Sequence, residues 1–135
     1  MPNASTLQFL LTLAKGIASQ FGPNCEVVVH DLATNDPERS IVAIENGHVT
    51  GRKVGDGPSH VVLEALRGNP EQLHDHLSYL TRTKDGKILK STTIYIRDDD
   101  GAPIGIFGIN YDITLMLAME DVLKSFTATD LPQEE

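Results

Sequence analysis

The sequence predicts an α+β domain, in which a five-stranded antiparallel sheet has helices packed on one face and flanking helices at both ends. Turn residues at Asp85-Gly86 and at 98–101 divide the second half of the chain into three runs rich in β-branched residues, as in consecutive hairpins. Two more such runs occupy residues 25–32 and 40–45. Apolar residues at helical spacing occur near both ends of the chain.

The first half of the chain is predicted to begin with a helix and continue as a strand pair. Ser5 can cap a helix over residues 5–21, where apolar residues recur every three or four positions. Residues 25–32 read CEVVVHDL, and the run of valines indicates a strand covered on both faces. Residues 40–45 are expected to pair antiparallel with it, and Asn46-Gly47 follows as a turn signal.

A helical, glycine-rich segment separates this pair from the remaining strands. Ser59 can cap a short helix over residues 59–67. The last three strands are predicted at residues 77–83, 88–97 and 104–113. Thr114 can cap an amphipathic helix over residues 115–126. The predicted organisation is a flanking helix at 1–21, a central domain at 22–114, and a C-terminal helix and tail at 115–135.

Composition and charge limit the function. The chain has 135 residues and a formal net charge of -8, which argues against direct binding of nucleic acid by these residues. An acidic surface is typical of a soluble protein, and an affinity for cationic small molecules is the alternative. The single Cys25 excludes an internal disulfide, and the N-terminus lacks the features of a secretory leader. We expect a cytoplasmic protein that does not contact a membrane.

The sequence contains no recognisable catalytic or metal-binding constellation. No GxSxG motif occurs, and no phosphate-binding glycine loop stands between a strand and a helix. His74 and His76 form an HxH pair, but the other histidines are scattered and no carboxylate cluster has recognisable ligand spacing. We therefore expect a protein that is not an enzyme and that holds no metal or cofactor.

Polar residues in otherwise apolar strands, and at the end of the second strand, are the candidate ligand-binding residues. A pocket between sheet and helices needs a few convergent polar groups in apolar walls. The candidates are Asn46, His48, Arg52, Lys90, Thr92, Asn110 and Asp112. The alternative is that these side chains face water, satisfy backbone groups or cap the following helix.

Three strings resemble the YheO-like PAS domain, the sensor domain of bacterial helix-turn-helix transcriptional regulators that include the D-arginine utilisation regulator type. They are GPNCEVVVHDL at 22–32, SIVAIENGHVTGRKVGD at 40–56, and TKDGKILKSTTIYIRDDDGAPIGIFGINYDIT at 83–114. The resemblance covers most of the chain, from about residue 10 to residue 115. It implies a PAS-like sheet that binds a small metabolite or a partner and signals through its C-terminal helix.

The resemblance also implies a helix-turn-helix domain, and here the sequence departs from the family pattern. Residues 116–135 are acidic and too few for that motif, so DNA binding is expected only through a module outside this chain. The resemblance to PAS sensors favours a homodimer, and the last helix offers an apolar face for one, formed by Met116, Met119, Leu123 and Phe126. A dimerisation module that binds no ligand is the alternative function.

Overall fold

The computed structural model describes residues 3–33 and 36–134. The first two residues and the last residue of the predicted terminal segments therefore lie outside the described part. The sheet has five strands, β1 (Cys25–Asp31), β2 (Ile41–Glu45), β3 (His76–Arg82), β4 (Ile88–Arg97) and β5 (Pro103–Asp112). All neighbours are antiparallel, in the order β2-β1-β5-β4-β3. The predicted α+β architecture is confirmed.

In the described part of the chain, three α-helices accompany the sheet: α1 (Ala4–Phe21), α2 (His60–Leu66) and α3 (Thr114–Thr127). Ser59 caps α2 as predicted, with its hydroxyl accepting from the Val62 N–H. The predicted cap of α1 is wrong, because Asn3 and not Ser5 holds that position and accepts from the Thr6 N–H at 2.8 Å. Asparagine and serine are comparable capping residues, so two candidates two positions apart leave the start of a helix ambiguous.

The two faces of the sheet are covered by different helices. On one face, α1 buries Leu10, Ala14 and Ala18 against β1 and against Phe107 of β5. On the other face, Val62 of α2 and the nearby Leu73 pack with Tyr95 of β4 and Ile106 of β5. Ile106 and Phe107 are neighbours in one strand, and successive residues of a strand point to opposite faces. Burial on both faces explains the apolar sequence of β1, all of whose residues are buried.

The last helix, α3, contains no buried residue. It begins immediately after β5, and its N-cap is Ile113, so the predicted capping role of Thr114 is also wrong. The Asp112 carboxylate instead accepts from the backbone N–H and the hydroxyl of Thr114, at 3.0 and 2.6 Å. Among the described residues, no helix is both long enough and apolar enough to span a lipid bilayer.

Candidate ligand-binding site

An open cavity of about 480 Å³ lies between α2, the turn that follows it and the β3–β4 side of the sheet. Tyr95 and Thr93 of β4 form its buried floor, and Val62 and Leu73 contribute buried apolar walls. Tyr79 of β3 closes one side. A concave, mostly apolar surface with a few polar groups is typical of a site for a small molecule.

A local irregularity in β3 shapes one wall of the cavity. The β3–β4 register shifts between His76 and Tyr79, and Ser78 between them has a φ of 54°, which is uncommon outside glycine. The His76 and Tyr79 rings consequently stack, with centroids 3.8 Å apart and an interplanar angle of 7°. The Tyr79 hydroxyl then lies 2.8 Å from the hydroxyl oxygen of Thr93. The bulge therefore places two aromatic rings on the cavity wall.

A buried polar network crosses the same sheet face. The Glu26 side chain is fully buried, and one of its carboxylate oxygens accepts from the Asn110 amide at 2.8 Å. Its other oxygen accepts from the backbone N–H and the hydroxyl of Thr50, at 3.0 and 2.6 Å. The Asn110 carbonyl accepts from Ser91 at 2.7 Å, and Ser91 accepts from Thr81 at 3.0 Å. The network joins four strands to the segment after β2, and hydrogen bonds offset the cost of burying its polar groups.

His30 forms a second buried polar group on β1. Its Nδ1 lies 2.8 Å from the Ser40 hydroxyl oxygen, and that hydroxyl donates to the Pro37 carbonyl at 2.9 Å. Because the hydroxyl has one proton, Nδ1 is the donor to Ser40. Burial, and secondly the charge of Arg52, lower the pKa of His30 from 6.5 to about 4. His30 is therefore neutral at physiological pH and serves the packing of β1.

Two of the predicted ligand-binding residues lie in the turn after β2. Asn46 adopts a left-handed conformation with a φ of 55°, and its side-chain amide donates to the carbonyls of Gly22 and Cys25, at 3.1 and 2.8 Å. The side chain thus ties this turn to the start of β1. His48 is exposed, and its backbone carbonyl accepts from the Lys87 ammonium at 3.1 Å.

Arg52, Asn110 and Asp112 are all half-buried but differ in their surroundings. Asn110 belongs to the buried network, and Asp112 hydrogen-bonds the start of α3. The Arg52 side chain makes no hydrogen bond or ion pair to the described residues, although its charge acts on His30. None of these three residues lines the cavity.

Lys90 and Thr92 point to the opposite face of the sheet from Asn110. In the β4–β5 pairing, Asn110 lies opposite Ser91, so their side chains share a face from which Lys90 and Thr92 are excluded by alternation. The Thr92 hydroxyl accepts from the Ser78 N–H at 3.0 Å, and Lys90 is exposed. Neither residue lines the cavity.

The predicted dimer-interface residues of α3 are all exposed. Met116 is the least exposed, at 51%, and Phe126 the most, at 86%. Met119 and Leu123 lie between these values. Their side chains follow one another at intervals of three and four residues, which aligns them along one side of the helix.

Apart from Asn110, the residues that form the cavity and the network were not among the predicted ligand-binding residues. Glu26 offered a signal, because a charged residue in a strand covered on both faces must find buried partners. Tyr79, Thr93 and Tyr95 offered none beyond ordinary strand composition. Within residues 3–33 and 36–134, no group of three or more histidine, cysteine, aspartate or glutamate side chains is placed to hold a metal ion.

A five-stranded antiparallel sheet in this order, with helices between its second and third strands enclosing a cavity, defines a PAS-type domain. The chain belongs to the family described as YheO-like PAS domains, which matches residues 1–128. A light-oxygen-voltage domain, solved in work with a flavin analogue, is 19% identical, with coverage of 85% of this chain and 94% of that one. Its TM-score of 0.50 shows a shared fold.

Curated relatives are longer proteins. YheO of Escherichia coli K12 is 34% identical over 125 residues, which cover 87% of this chain and 48% of YheO. A protein of Haemophilus influenzae is also 34% identical, over 88% of this chain and 52% of its own length. The transcriptional regulator DauR of Pseudomonas aeruginosa is 28% identical over 96% of this chain and 59% of its own. The chain thus spans about half the length of the first relatives, and it is related to a transcriptional regulator.

Proposed function

We propose that this chain is the sensory domain of a bacterial transcriptional regulator acting in the cytoplasm. A small metabolite would bind in the cavity between α2 and β4, and the change would reach α3. The observation that carries the proposal is that a single strand, β4, contacts both the cavity and the start of α3. Thr93 and Tyr95 of β4 line the cavity, while Ile88 at the start of β4 is hydrogen-bonded to Thr114 at the start of α3.

The domain would act by binding and not by catalysis. A ligand can shift the position of α3 only by binding one arrangement of β4 and α3 more tightly than the other. DNA recognition would belong to a part of the regulator outside these 135 residues, as the relation to DauR and the length of the relatives suggest. The output would then be a change in the orientation that α3 gives to the DNA-binding module.

Screening a metabolite library for compounds that raise the thermal unfolding midpoint tests the proposal, because a ligand that binds only the native state stabilises it. Ala65→Trp, which places a large side chain at the cavity wall, should abolish the increase. His60→Trp changes an exposed residue of the same helix outside the lining and should leave the increase intact. A library without any stabilising compound, or hits that Ala65→Trp does not affect, would refute a ligand-binding role for the cavity.

A dimerisation module is the second candidate function, and the exposed apolar side of α3 favours it. Four large apolar side chains, each at least half exposed, follow one side of a helix that buries none of its residues. A homodimer through α3 is compatible with sensing, because PAS-type output can pass through a paired helix. Dimerisation would be the whole function of the domain only if the cavity binds no ligand.

A further inference from the structure

We propose that the ligand of the α2–β4 cavity is a small organic cation, an inference that rests on the proposed sensory function. The cavity brings together carboxylates and stacked aromatic rings, and no lysine or arginine lines it. Recognition would come from Asp75 and Glu64 at its rim and from the rings of Tyr79, His76 and Tyr95.

The lining contains carboxylates and two histidines, His74 and His76, but no lysine or arginine. Asp75 and Glu64 are its only carboxylates, and all of its residues belong to the described part of the chain. Two guanidinium groups next to lining residues already have acceptors in the protein. Arg67 pairs with Glu64 at 3.4 Å through largely exposed side chains, and Arg97 donates to the carbonyls of Gly101 and Leu73. Asp75 is therefore the lining carboxylate that has no basic partner among the described residues. An anionic ligand would therefore meet carboxylates that no lysine or arginine of the lining offsets.

Asp75 occupies a position where its charge acts on the cavity floor. One of its oxygens accepts from the Tyr95 backbone N–H at 2.9 Å, which fixes the carboxylate beside the floor of the cavity. Burial raises the pKa of the Tyr95 hydroxyl, and Tyr79 and Asp75 raise it further against the opposing effect of Arg97. The Asp75 charge therefore acts on the floor of the cavity, and the charge of Arg97 opposes it.

The aromatic wall adds a second element that favours cations. The His76 and Tyr79 rings stack in parallel, so each ring keeps one outer face turned away from the stack. The face of a tyrosine ring attracts an ammonium group through its quadrupole. Carboxylates at the rim and aromatic faces on the wall are the combination used to bind organic ammonium ions, with the apolar floor accommodating their methylene groups.

Isothermal titration of the 135-residue chain with three probes of equal carbon-chain length tests this inference. The probes are putrescine, butanediol and succinate, which differ mainly in charge. The titrations are run at pH 8, above the ordinary titration range of histidine. We expect binding of putrescine only, lost in Ala65→Trp, and weakened by added salt.

Asp75→Asn supplies the decisive variant, because asparagine keeps an oxygen that can accept from Tyr95 and loses only the charge. It should weaken putrescine binding about tenfold, and Glu71→Gln, an exposed change outside the lining, should have no effect. Equal binding to Asp75→Asn, no putrescine binding, or binding insensitive to Ala65→Trp would overturn the inference. Binding of succinate or butanediol in the cavity would overturn it and leave the sensory function standing, whereas an empty library screen would remove both.

Discussion

The backbone N–H of Ile88, the first residue of β4, donates a 2.9 Å hydrogen bond to the hydroxyl of Thr114, the first residue of α3. A second bond runs the other way, because the Ile113 N–H donates to the Ile88 carbonyl at 2.9 Å. The same Thr114 hydroxyl donates to Asp112. These bonds join the last helix to the strand that floors the cavity, and they give the proposed signal a physical route.

Thr114→Val should loosen the connection between β4 and α3. The variant keeps the shape of the side chain but removes the acceptor for Ile88 and the donor to Asp112. We expect a loss of about 1 kcal/mol or less in stability, since the bonds are exposed, and faster amide exchange over the first turn of α3. Thr127→Val, which removes a hydroxyl bond to Leu123 at the far end of the helix, is the control. Unchanged exchange at residues 114–117 would contradict this role of Thr114.

Removal of the Glu26 carboxylate should strongly destabilise the domain. Glu26→Ala leaves the Asn110 amide and two donors of Thr50 without their acceptor, and we expect a loss of about 3 kcal/mol or more in urea denaturation. Glu26→Gln keeps one oxygen and should cost less. Glu71→Ala, at an exposed position, should change stability by no more than about 0.5 kcal/mol. A Glu26→Ala variant as stable as the parent would show that the network contributes nothing.

Stability should fall as the pH is lowered from 6.5 toward 4 because of His30. Its folded pKa of about 4 lies below the ordinary 6.5, so in this range the unfolded chain binds a proton that the folded chain does not. The contribution of neutral His30 to the free energy of unfolding is fully present above pH 6.5 and is lost by about pH 4, and it amounts to a total near 3 kcal/mol.

His30→Asn should remove that part of the pH dependence, because asparagine can still donate to Ser40 and does not titrate. The measurement is the difference in unfolding free energy between the two proteins across this range, which cancels the titration of the carboxylates. His48→Asn, at an exposed histidine, should leave the profile unchanged. Parallel profiles for the parent and His30→Asn would contradict the assignment.

Sedimentation equilibrium should find a dimer that depends on α3. Leu123→Glu places a charge on the exposed apolar side of the helix and should yield monomers, because desolvating an unpaired carboxylate in an interface is costly. Ser125→Glu adds the same charge at an exposed polar position and should remain dimeric. A parent chain that stays monomeric throughout the concentration series would eliminate the interface on α3.

The strands could be predicted because turn residues set their ends. Residues 88–97 were predicted as a strand, and β4 has those bounds. The turns on either side fix the two hairpins, because Gly86 after Asp85 and Gly101 both adopt a positive φ. The remaining helices and strands shift by one residue at one or both ends. Where two capping residues compete, as Asn3 and Ser5 do, sequence alone does not decide between them.

The site could not be predicted, because the alternation of side chains assigns residues to the two faces of each strand but does not determine the pairing register between strands. Period two separates Lys90 from Ser91, yet only the β4–β5 register shows that Ser91 accompanies Asn110. The Glu26–Asn110 bond joins residues 84 positions apart, through a pairing of the first and last strands. The bulge that places Tyr79 on the cavity wall has no signal of its own, since Ser78 is an ordinary strand residue in sequence.

Amide hydrogen exchange with and without the most stabilising library compound tests the central claim most directly. The account predicts slower exchange in two places at once, along β4 beside the cavity and over the first turn of α3. In Thr114→Val the compound should still slow exchange in β4 but should no longer affect α3. Protection confined to the cavity in the parent chain, with α3 unchanged by the compound, would contradict the proposal that this domain signals through its last helix.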